Sequence, residues 1–169
     1  MRTSHPLWIA PLIAGIAWFS IAAVQLSGHD FRGHYDAPID FVRESMLMLA
    51  FTGSAASALG LSRVQDGRGA WAARGVTASA AAAVTAIAIG MASGEEPEWF
   101  FDVMGPALLV MMVSLLAMTV RSWRAGACPR WALVLIVLTP ISVPAFWFGF
   151  SVIPAAGWFG IARRMSRAE

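Results

Sequence analysis

Lysine is missing from this chain altogether. All twelve basic residues are arginine, and together with ten acids they make up only 13% of its 169 residues. A soluble domain carries about 25% charged residues, so this chain is too poor in charge to cover itself with a water-facing surface. It has a single cysteine, Cys128, which excludes an intramolecular disulfide and a cysteine-built metal cluster. There is one tyrosine. No GxSxG, HExxH or glycine-rich phosphate loop is present, so the common signatures of nucleophilic, zinc-hydrolase and nucleotide chemistry are excluded.

What the chain has instead is apolar length. Apolar residues make up 58% of it, and its mean hydropathy is +0.66. At about 20 apolar residues per crossing, that is room for five or six membrane helices and no second domain. Residues 1–169 therefore read as one transmembrane helical domain, an all-α polytopic membrane helix bundle. Its expected spans are 7–27, 45–61, 71–92, 100–120, 127–143 and 145–163. The last two form a hairpin that is proline-broken at Pro140 and Pro144 or re-entrant; the fallback is five spans, the fifth kinked. The apolar run from 7 to 26 is longer than the about 7–15 residues of a signal-peptide core. An uncleaved first helix is the expectation.

The arginines choose between six crossings and five. With the N-terminus cytoplasmic and six crossings, Arg2, Arg63, Arg68, Arg74, Arg121, Arg124, Arg130, Arg163, Arg164 and Arg167 fall inside, and only Arg32 and Arg43 outside. Every loop then obeys the positive-inside rule. Five crossings would put the tail arginines outside. The expected location is the cell membrane, multi-pass, with both termini cytoplasmic. The basic balance is thus a topology signal, and nucleic acid is not an expected partner. Expected partners are the lipid bilayer and a membrane protein or a second copy of the chain.

Two stretches stand out against this background. The first is the polar segment 28–44, GHDFRGHYDAPIDFVRE, read as an outer loop. In it His29, Asp30, His34 and Asp36 offer imidazole and carboxylate groups of the kind that bind a divalent cation. That cation is the one cofactor the sequence suggests; a solvated, turn-rich loop is the plainer alternative. Arg32 and Arg43 are the only outer cations for eight outer acids, and Arg43 at the mouth of the second span is expected to pair with Asp102 at the mouth of the fourth. The second stretch is the small-residue spacing of Gly53 and Ser57 and of Gly75 and Ser79. Small residues four apart let helix backbones approach closely in lipid, so the second and third spans are expected to pack through them.

No ionisable residue falls deep within an expected span, which speaks against a charge-coupled transporter. The leading functional reading is a non-enzymatic binder of a small molecule, lipid or cation, or an accessory subunit of a membrane assembly. The alternatives are a small membrane enzyme or metal site using His29 and His34 at the outer face, and a passive transporter of a neutral or apolar solute.

Overall fold

A computed structural model of the chain describes residues 6–27, 35, 37–65, 67, 69–143 and 149–167. Among these the protein is all-helical: α1 (Ile9–Gln25), α2 (Pro38–Val64), α3 (Ala70–Ser93), α4 (Phe100–Arg124), α5 (Arg130–Val137), α6 (Thr139–Ser142) and α7 (Val152–Ser166). α2, α3 and α4 are long and apolar enough to cross a membrane, and α1 is a shorter apolar helix of 17 residues. At 1.5 Å per residue α1 is about 26 Å long, close to the roughly 30 Å of a hydrocarbon core. These helices point to a membrane protein.

α5 and α6 form one interrupted leg. Pro140 has no N–H to give Ile136, so the helical ladder breaks there. The chain bridges the break with the shorter bond from Leu138 N–H to Leu135 C=O, 3.2 Å. α7 folds back on this leg. A Cβ on Gly157 would lie 2.9 Å from Ile136 and Leu135, and one on Gly160 would meet Trp131 and Ala132. The two arms are therefore antiparallel and nearly in backbone contact. Residues 144–148, with Pro144, lie outside the described part, as do 1–5, 28–34, 36, 66, 68 and 168–169.

The legs close into a ring. α1 packs on α2, α2 on α3, α3 on α4, α4 on α5 and α6, α5 on α7, and α7 back on α1. Paired close approaches give the direction at each join. Gly53 meets Ala14 and Gly60 lies near Leu7, so α1 and α2 are antiparallel. Gly15 meets Phe159 and Gly149 meets Leu26, so α1 and α7 are antiparallel too. Large side chains fill the middle. Trp18 lies edge-on to Phe51 with centroids 5.8 Å apart, and Trp158, Met111, Leu115 and Ile136 are fully enclosed. Large apolar side chains also cover the outside: Leu109, Val113, Leu116 and Val120 form an exposed stripe along α4. A stripe of that kind costs nothing in lipid and is unfavourable in water.

Two details depart from the sequence expectations. α2 begins at Pro38, not at 45. Pro38 suits the first helical position, and the Asp40 carboxylate reaches back to accept the Ala37 N–H at 2.9 Å. The last turns of the expected loop are thus the start of the helix. The second departure concerns the small residues. α2 and α3 do pack along their length, but a Cβ on Gly53 would lie 2.9 Å from the backbone nitrogen of Ala14 in α1, and one on Gly75 would collide with the Ser114 hydroxyl in α4. The hydroxyls of Ser57 and Ser79 turn back to the carbonyls of Gly53 and Gly75, at 2.6 and 2.7 Å. In a ring each helix has two neighbours, and these small stripes face the neighbour on the other side.

A buried polar layer at the acidic end

The ring has two chemically different ends. One carries Arg63, Arg121, Arg124, Arg130, Arg163, Arg164 and Arg167, with Arg121 stacked over Trp71 and Arg130 over Trp123, 5.9 and 5.1 Å from the ring centroids. Here Gln65 donates to the Ser122 hydroxyl at 2.5 Å and ties α2 to α4. The opposite end carries Asp40, Glu44, Glu95, Glu96, Glu98 and Asp102, with Arg43.

The helical spacing of α2 gathers charge at this acidic end. Asp40, Arg43 and Glu44 stand at i, i+3 and i+4, hence on one face. That face is turned inward: the three residues are exposed by only 3%, 6% and 3%. Arg43 Nε donates to Glu44 Oε1 at 2.7 Å, and its terminal guanidinium nitrogen closes on the same oxygen. Charged side chains are rarely so buried unless they are paired. The face brings two carboxyl groups and one guanidinium together.

Tyr35 lies over this face. Its N–H donates to the Gly94 carbonyl at 3.2 Å, joining the segment before α2 to the turn after α3. Its ring leans on Phe41, 5.8 Å between centroids. Its hydroxyl occupies the space left by the missing side chain of Gly90, where a Cβ would sit 3.0 Å away. The residue is 7% exposed, and the hydroxyl has no hydrogen-bond partner among the described residues. Burial, followed by the negative charge of Glu44 and Glu96, pushes the phenol well above its ordinary range.

More polar atoms of this kind lie near the same level. Gln25, at the end of α1, is buried, and neither its amide oxygen nor its nitrogen is bonded to another described residue. The register set by Gly53 and Ala14, carried along to Gln25, reaches about residues 42–44 of α2. The start of α7 abuts the same end of α1: a Cβ on Gly149 would lie 3.2 Å from Leu26. Two residues on, the Ser151 hydroxyl is fully buried and has no partner among the described residues; the same holds about one turn deeper for the Thr139 hydroxyl in α6, and deeper still for the Trp158 indole N–H. A buried polar atom without a partner costs about 1–3 kcal/mol. Several at one level mark a layer lined for something other than packing.

The candidates read from the sequence fall unevenly on this picture. His29, Asp30, Arg32, His34 and Asp36 lie outside the described residues. Among the described residues, no group of three or more His, Cys, Asp or Glu is placed to hold a metal ion. Arg43 is buried against Glu44, while Asp102 is exposed at the start of α4, a helix that barely touches α2. Tyr35, Asp40, Glu44 and Gln25 were not singled out as a site. The signal for Asp40 and Glu44 was present in the D-x-x-R-E spacing behind Pro38, and Gln25 is the one strongly polar side chain of the first span; nothing local marks Tyr35. Cys128, in the turn before α5, is buried and its thiol is pushed up to about 11, chiefly by burial.

In comparisons with known proteins, no family model, no curated protein and no solved structure matches this chain.

Proposed function

We propose that this chain is a non-enzymatic, six-span protein of the cell membrane that binds a small cation in the polar layer at its acidic end. The observation that carries the reading is the inward face of Asp40, Arg43 and Glu44 beneath the buried Tyr35 hydroxyl. The face sets two carboxyl groups against one guanidinium, and Tyr35, Gln25 and Ser151 contribute oxygens near its level that have no partner among the described residues. Carboxyl, amide and hydroxyl oxygens suit a hard cation such as calcium. The interior between the two ends is mostly apolar, and its buried hydroxyls Ser54, Ser57 and Thr119 are engaged in hydrogen bonds, which supports a binder over a transporter with a polar path. The short legs α5–α6 and α7 count as the fifth and sixth spans, and the arginine-rich end faces the cytoplasm by the positive-inside rule.

Thermal unfolding of the detergent-purified protein with calcium, zinc and sodium tests this. A cation that binds the folded state alone raises the melting temperature, by an amount that grows with the logarithm of its concentration over its Kd. The expected result is a rise that Glu44→Gln abolishes and His34→Ala preserves. A rise lost in His34→Ala and kept in Glu44→Gln moves the ion to the 28–36 segment. No rise with any cation removes the reading.

A further inference from the structure

The arginine end has its own cavity, separate from the polar layer and outside the ring. A groove of about 560 Å³ runs between the start of α5 and the last turns of α7. Phe159 and Gly160 line its length towards the middle of the bundle, Trp131 stands at its side, and Arg163, Arg164 and Arg167 surround its mouth. The spacing explains the shape. Residues 156, 159, 160, 163 and 167 follow one another at helical intervals, so α7 presents a single stripe that changes from apolar to cationic as it nears its end. Gly160 lets the edge of the Trp131 indole come close to the helix backbone, and Trp131 stays half exposed beside the groove.

The three arginines are exposed, and none makes an ion pair with another described residue. Among the described residues no carboxylate lines the groove. Three guanidinium groups close together repel one another, and the negative end of α7 offsets only part of that. An anion completes the arrangement. Guanidinium matches a phosphate bidentately, and a tryptophan beside it is the side chain found where headgroups meet acyl chains. An aliphatic tail is the ligand part that suits the apolar length beyond the mouth.

We propose that this groove binds an anionic phospholipid, its phosphate held by Arg163, Arg164 and Arg167 and an acyl chain laid along Trp131 and Phe159. The proposal rests on the membrane reading above and is independent of the cation layer.

Native mass spectrometry of the full chain in a neutral detergent tests it, with phosphatidylglycerol, phosphatidylcholine of the same acyl chains, and inorganic phosphate as probes. The expected result is a preference of about tenfold or more for phosphatidylglycerol over phosphatidylcholine. The triple variant Arg163→Gln, Arg164→Gln, Arg167→Gln loses that preference, and Arg63→Gln, in a different groove, keeps it. Should the triple variant fail to fold, Arg167→Gln alone, in the exposed last turn, lowers the preference several-fold. Equal retention of the two lipids, or a preference that survives these substitutions, overturns the proposal. So does inorganic phosphate binding as tightly as the lipid, which makes the site one for a free anion. Recovery of the protein in carbonate-washed membranes tests the membrane reading by itself, so the two failures give different results.

Discussion

Tyr35 is the single tyrosine of the chain, and its titration reports on the polar layer without interference from another phenol. Its ionised form is the one that burial and the neighbouring carboxylates disfavour, so the folded protein holds the phenolic proton beyond the ordinary value of 10.0. The unfolded chain releases it at that ordinary value. Stability from this group is therefore complete below pH 10 and is lost as pH rises through the folded-state value. Tyrosinate absorbance of the folded protein in detergent should stay flat through pH 10 and rise only with unfolding. In Tyr35→Phe the same alkaline loss of stability should shrink. At neutral pH that variant should melt within about 1 kcal/mol of wild type, since it removes a hydroxyl that has no partner among the described residues. A phenol that titrates at 10 in the folded state would place Tyr35 in water and dissolve the layer.

At the scale of elements, glycines set how closely the legs approach, and two of them make a matched pair for experiment. Gly53→Ala puts a Cβ 2.9 Å from the Ala14 backbone nitrogen, and backbone cannot swing aside as a side chain can. α1 and α2 must separate, at a cost of about 1–3 kcal/mol. Gly105→Ala in α4 meets nothing within 4 Å and restricts the unfolded chain, so it should be neutral or stabilising by up to about 1 kcal/mol. Unfolding in a detergent titration reads both; equal effects would mean that α1 and α2 are not in backbone contact. The sequence spacing showed that such glycines exist but not which neighbour each one meets, because that depends on the order of helices around the ring. The start of α2 was legible in principle. Pro38 followed by Asp40 is a helix opening, yet the charges of Asp40, Arg43 and Glu44 resemble loop when only hydropathy is weighed.

For the whole molecule, the apolar runs were enough to read the helices, and the arginine distribution was enough to separate two ends. Closure of the ring was not readable, since it depends on contacts such as Gly15 with Phe159 and Gly149 with Leu26 between the first and last legs. The same holds for the polar layer: Thr139 and Ser151 are each unremarkable in sequence, and with Gln25 they become a group only when α1, α6 and α7 meet. An even number of antiparallel legs has a consequence that labelling in cells can check. It puts Ser93, at the end of α3, and Ser166, at the end of α7, at opposite ends of the bundle, both exposed. With the arginine end cytoplasmic, an impermeant maleimide should label Ser93→Cys in intact cells, and Ser166→Cys only after permeabilisation. The native thiol gives little background, because Cys128 is 7% exposed and its pKa is about 11, so almost no thiolate is present at neutral pH. Labelling of Ser166→Cys but not Ser93→Cys in intact cells would invert the bundle, placing the lipid groove outside and the polar layer within. Labelling of both would put the two residues on the same side, so that α5–α6 and α7 together cross only once and the chain has five spans.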